Sequence, residues 1–164
     1  MEIKPTALTT HILTTIINSK PEAYAMINGY NNIQGSICFY PFENGSILIY
    51  EVHHLPVSKE NDSGIFAFHI HEGNTCLNDT NVPFEKTLGH FNPTHQMHPY
   101  HLGDLPPLFA RKGTAWGSVY IDKFAPKDII GRTIVIHANP DDFHTQPSGN
   151  SGTKIACGEI KEFY

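Results

Sequence analysis

Positive charge is scarce in this sequence and nowhere concentrated. Lys and Arg number 11 against 16 Asp and Glu, a net charge of −5, and there is no basic run. That argues against a nucleic-acid partner, because neutralising phosphates needs clustered Lys and Arg. Long apolar runs are missing too. Nothing approaches the roughly 20 apolar residues of a membrane span, so no membrane partner is expected. The N-terminus lacks the marks of a signal peptide: Lys4 is its only early positive charge, and His11 and several Thr interrupt the stretch from Leu8 to Ile17. Read literally, the chain stays in the cytoplasm; a trimmed secreted or cell-surface form is the alternative. Cysteine is sparse, and with Cys38, Cys76 and Cys157 its odd count leaves at least one thiol without a partner in the chain.

What the sequence has in quantity is Gly (13), Pro (12) and, above all, His (11). Gly and Pro punctuate a chain into short strands. The 164 residues suit one domain with a sizeable core. Residues 1–20 read as an N-terminal extension. A short helix is expected there, from about Pro5 to Ser19, with Leu8, Ile12, Leu13, Ile16 and Ile17 on one face. Residues 21–164 read as the main domain. Strands are expected at Ser36–Phe42, Ser46–Val52, Ile65–His71, Gly117–Ile121 and Arg132–His137, with a tight turn around Asn44-Gly45. Glu72 to Leu108 and Ala138 to Thr153 show little periodicity. Irregular loops this long are uncommon in a compact domain without a use. Short antiparallel strands with two long loops indicate an all-β sandwich or Greek-key barrel.

In Phe66-Ala67-Phe68-His69-Ile70-His71, alternation puts His69 and His71 on one face and Phe66, Phe68 and Ile70 toward the core. Two imidazoles on one rigid face make half of a metal site; taken alone, they are equally two surface histidines on a half-exposed strand. The loop then places His90, His95, His98, His101 and Asp104 close together. Neutral imidazole and carboxylate are good zinc ligands, and a loop can wrap them into a tetrahedron. His137 ends the strand Thr133-Ile134-Val135-Ile136-His137. Asp141 and Asp142 follow, and a carboxylate beside metal-bound imidazoles commonly accepts their second N–H.

Taken in order, Phe68-His69-Ile70-His71-Glu72, Cys76, His90-Phe91-Asn92-Pro93, His101-Leu102-Gly103-Asp104-Leu105, Gly131 to His137, Asp141-Asp142, Gly149-Asn150-Ser151-Gly152 and Ala156-Cys157-Gly158 resemble the copper/zinc superoxide dismutases. The resemblance covers about Ala23 to Ile160 and looks closest to bacterial members with a short zinc loop. It implies an eight-stranded Greek-key β-barrel and conversion of superoxide to oxygen and hydrogen peroxide. By motif, His69, His71, His90 and His137 would hold copper, and His90, His98, His101 and Asp104 zinc. His90 would bridge the ions and deliver a proton. His98 is preferred to His95 by its offset from His90. Asp141 would bond both His69 and His98. Cys76 and Cys157 would form the family's disulfide, leaving Cys38 as a small core residue. The substrate implied is a small anion, and a homodimer is possible.

One position departs from the family pattern. Its usual active-site Arg lies three residues before the second cysteine, where this chain has Lys154. The charge is kept but the planar fork is not, so lower or more salt-sensitive activity is expected. A non-enzymatic copper/zinc reservoir or chaperone of the same fold is the alternative. A zinc hydrolase would need an open zinc position, which four ligands close.

Overall fold

The structure, a computed structural model, describes residues 7–164. Pro5 lies outside the described residues, as do the side chains of Leu8 and Ile17. Helix α1 spans Ala7–Asn18 and is followed by nine strands: β1 Ala23–Gly29, β2 Gln34–Phe42, β3 Gly45–His53, β4 Ser63–Phe66, β5 Phe68–His71, β6 Leu108–Arg111, β7 Ala115–Ile121, β8 Thr133–His137 and β9 Lys154–Glu162. The helix lies against β2, where the His11 and Phe42 rings are 4.8 Å apart. Leu13, expected on its packed face, is 55% exposed. No described helix is long and apolar enough to cross a membrane.

Seven strands form one antiparallel sheet in the order β5-β8-β9-β1-β2-β3-β7, and β4 pairs with β6 in a second. The two are joined at both ends. An Arg111–Thr114 bridge closes the turn from β6 to β7, and β4 runs into β5 through Ala67. The sheet thus curls into a barrel with the non-sequential strand order of a Greek key. Its interior is filled by inward residues of every strand, among them Phe39, Leu48, Phe68, Ile70, Leu108, Ile134, Ile136 and Ile160. Each such side chain contributes about 1.5–3 kcal/mol on burial.

The strand expected at Ile65–His71 is interrupted at Ala67, which raises the expected eight strands to nine. The cause is a change of partner. Ala67 N–H donates to Asn139 O at 2.8 Å and its carbonyl accepts His137 N–H at 2.9 Å. The following strand, β5, is buried on both faces, with Phe68, His69, Ile70 and His71 all under 3% exposed. The alternation holds, but the histidine face meets the loops instead of water.

Two further expectations need correction. The β2–β3 turn is Glu43-Asn44, with Glu43 at φ +51°, while Gly45 already pairs with Phe42. A Cβ at Gly45 would overlap the Ile121 carbonyl, so the glycine serves close strand approach and not the turn. Cys38 is half-buried and not a core residue; alternation turns its neighbours Ile37 and Phe39 inward instead.

Candidate metal centre

The loop spanning 72–107 is laced onto β5 by its backbone. His90 and Asp104 bridge to His71 and His69. Phe91 N–H donates to Ile70 O at 2.8 Å, Ile70 N–H to Gly103 O at 2.9 Å, and Gly103 N–H to Phe91 O at 2.9 Å. The approach needs glycine, because a Cβ at Gly103 would overlap the Ile70 carbonyl. Farther out, a disulfide joins Cys76 to Cys157 of β9. Arg132 Nη1 donates to Glu72 O at 2.7 Å.

Two groups of candidate ligands result among the described residues, all buried: His69, His71, His90 and His137, and His90, His98, His101 and Asp104. Within each group the ligand atoms lie within 4.8 Å of one another, and His90 belongs to both. His95, the competitor of His98, is exposed.

Outer hydrogen bonds decide which nitrogen of each ring faces inward. His71 Nδ1 donates to Leu88 O at 2.9 Å, and His137 Nδ1 donates to Gly152 O at 3.2 Å. Each neutral ring is thereby left a lone pair on Nε2, and these two Nε2 atoms face each other at 3.2 Å. His69 Nε2 donates to Asp141 Oδ2 at 2.7 Å and His98 Nε2 to Asp141 Oδ1 at 2.9 Å, so both turn Nδ1 inward. His69 Nδ1, His90 Nε2 and His98 Nδ1 are buried without a hydrogen-bond partner. In the second group the Asp104 carboxylate lies 2.8 Å from His90 Nδ1, 3.2 Å from His98 Nδ1 and 3.3 Å from His101 Nδ1. Buried lone pairs and a carboxylate converging on one another are unfavourable unless a cation lies between them. The donor sets fit the metals expected: four imidazoles for copper, and three imidazoles with one carboxylate for zinc.

Electrostatics hold the rings in the ligating form. Burial lowers His69 to about 4, against the opposing pull of Asp141. Burial and the charge of His69 lower His137 to about 3, and burial drives His71 well below its ordinary value. For Asp104, burial acts to raise the carboxyl, but the bond from His90 and the nearby imidazoles outweigh it and hold it low. Asp141 is held low in the same way by His69, the Phe143 N–H and His98.

Lys154 stands at the mouth of the first group. A cavity of about 220 Å³ is lined by His71, His90, His137, Pro147, Gly152 and Lys154, among others. The ammonium is not free in solvent as an ordinary surface lysine would be. It donates to Thr87 Oγ1 at 2.6 Å, Leu88 O at 2.9 Å and Phe84 O at 3.4 Å. Partial burial lowers its pKa. The carboxylate of Asp142, the neighbour of Asp141, accepts from His144 and Thr145 in its own turn, and its N–H donates to Gly149 O at 2.9 Å. Two further residues serve the centre from outside the expected set: Gln146, which bonds both backbone groups of His98, and Lys123, which bonds the carbonyls of His101 and Asp104. Neither carries a local signal, since each acts on backbone far away in the chain.

A curled antiparallel β-barrel whose two long loops enclose paired imidazole clusters with a shared histidine defines a two-metal β-barrel protein. The sequence pattern of copper/zinc superoxide dismutase matches residues 33–160. Copper–zinc superoxide dismutase 2 of Aquifex aeolicus is 30% identical over 154 residues, covering 83% of this chain and 84% of the relative. Copper–zinc superoxide dismutase 3 of Arabidopsis thaliana is 30% identical over 154 residues, covering 84% and 88%. The extracellular copper–zinc superoxide dismutase of Brugia pahangi is 30% identical over 164 residues, covering 88% and 77%. The chain belongs to the copper/zinc superoxide dismutase family.

Proposed function

We propose that this chain converts two superoxide ions and two protons to oxygen and hydrogen peroxide, with copper held by His69, His71, His90 and His137 and zinc by His90, His98, His101 and Asp104. The observation that carries the reading is the pair of converging lone-pair sets that share His90. Copper, when bound, supplies a reversible one-electron couple, and zinc a fixed positive charge that does not change oxidation state.

The chain's own residues do the rest. Outer acceptors on His69, His71 and His137 fix their tautomers, so the inner nitrogens need not reorganise. His90 is the ring whose two nitrogens both face the centre, and we assign it the proton transfer at Nε2. Asp104 keeps its Nδ1 side in place at 2.8 Å. Lys154 gives the cavity a positive charge for a small anion, and its bonds to Thr87 and Leu88 hold that charge beside His71 and His137. The Cys76–Cys157 bond ties the loop of His90 to β9.

Residues 1–20 are assigned as an appended segment and 21–164 as the dismutase domain. Pairing of two copies is part of the same reading, to be checked by sedimentation. A cytoplasmic location stays part of the reading, to be checked by cell fractionation. The test of function is reconstitution with copper and zinc, metal analysis and a superoxide-decay assay. Uptake of both metals with accelerated decay is expected; uptake with no acceleration overturns the enzyme reading in favour of a metal reservoir.

A further inference from the structure

Within the loop that carries His98, His101 and Asp104, residues 92–107 form neither helix nor strand. Gly103 and Asp104 are tied to β5 through the backbone, but no such ladder holds His98 and His101, yet their Nδ1 atoms lie 3.2 and 3.3 Å from Asp104 Oδ2. Two side chains from elsewhere in the chain supply the missing bonds.

Gln146, on the loop spanning 138–153, pairs with His98 as a strand would. Its Oε1 accepts the His98 N–H at 3.0 Å and its Nε2 donates to the His98 carbonyl at 2.7 Å. Lys123, just past β7, reaches the other end. Its Nζ donates to the carbonyls of His101 and Asp104 at 3.2 Å each. Those carbonyls flank a four-residue turn, in which His101 N–H donates to Asp104 Oδ2 at 2.9 Å and Asp104 N–H to His101 O at 3.3 Å. Both long side chains lose rotamer freedom to make these bonds, and both do so on the backbone of residues whose side chains point into the centre.

We propose that Gln146 and Lys123 are positioning residues for zinc, gripping the backbone at His98 and at the His101–Asp104 turn so that the donor atoms stay gathered before the ion arrives. Preorganisation of this kind raises affinity by removing the ordering cost from the binding step. It also links the loops: the one carrying Asp141 sets zinc affinity through Gln146 as well. The inference rests on the zinc assignment made above.

The test uses the full chain stripped of metal, titrated with zinc against a competing chelator, and with cobalt(II) as a spectroscopic probe. Gln146→Ala and Lys123→Met are each expected to weaken zinc binding about tenfold, the scale for losing an outer partner of a metal site. The double variant should lose about a hundredfold, because the residues act from separate elements. Lys123→Arg, which keeps a cationic donor, should restore most of the affinity. The cobalt visible spectrum should change in Gln146→Ala and Lys123→Met. Zinc affinities within twofold of the parent protein in both single variants overturn the inference, even if their melting temperatures fall. His98→Ala separates this from failure of the zinc assignment. If zinc binding survives His98→Ala, the assignment fails and the inference with it. If it is lost there but unaffected in the other two, only the inference fails.

Discussion

Lys154 and His71 donate to the same carbonyl: Lys154 Nζ and His71 Nδ1 each lie 2.9 Å from Leu88 O. The cation at the cavity mouth is thus one atom removed from the bond that sets the His71 tautomer. Lys154→Ala removes both the charge and one of two donors to that carbonyl. Superoxide decay is expected to slow by about tenfold and to become less sensitive to salt, because the steering charge is gone. Lys154→Arg should retain the salt dependence. Unchanged rate and salt dependence in both variants would remove Lys154 from the reaction.

Gly149 makes a second prediction. It sits at φ +66°, and a Cβ there would overlap the Asp141 carboxylate and lie 2.7 Å from His98 Nε2. Gly149→Ala combines left-handed strain of about 1–2 kcal/mol with displacement of the group that orients both His69 and His98. Expected outcomes are a lowered denaturation midpoint and weaker binding of both metals, read by denaturant titration and metal competition. Gly131, at φ +82° with open space around its Cβ position, serves as the control. Gly131→Ala should lose stability without losing metal affinity.

The disulfide closes a loop of 81 residues. On the chain-entropy account, removing it costs about 4–5 kcal/mol. Cys76→Ser should lower the urea midpoint accordingly. It should also raise hydrogen exchange across residues 72–90, since Cys76 anchors that stretch to β9.

Metal-free protein should lose stability on mild acidification. Folding lowers His69 to about 4 and His137 to about 3 from an ordinary value near 6.5. Between those values the unfolded chain binds more protons, so stability rises with pH. The contribution is complete above about pH 6.5 and is lost as pH falls toward 4, at about 1.4 kcal/mol per pH unit for each fully differing group. Denaturation midpoints of the metal-free chain from pH 7 to 4.5 check this. Bound metal should delay the loss, because ligation competes with protons.

Much of the fold could be read along the chain, because periodicity and turn chemistry are local. The β2–β3 hairpin, the apolar β8 run and the two long loops are visible as patterns. The break at Ala67 follows from a partner far away, Asn139, whereas the outward turn of Cys38 follows from the alternation that buries Ile37 and Phe39.

The same division applies to the centre. The ligand supply is written along the chain: two imidazoles on one face of a strand, a histidine-rich loop ending in Asp104, and His137 at a strand end with Asp141 beyond it. Those are matters of residue type and alternation. Folding alone sets which nitrogen of each ring faces inward, puts His98 in the centre while His95 faces solvent, and brings Gln146 and Lys123 to the backbone of His98, His101 and Asp104. Each depends on hydrogen bonds closed between segments tens of residues apart, such as the 48 separating Gln146 from His98, and so on geometry that no short stretch of chain carries.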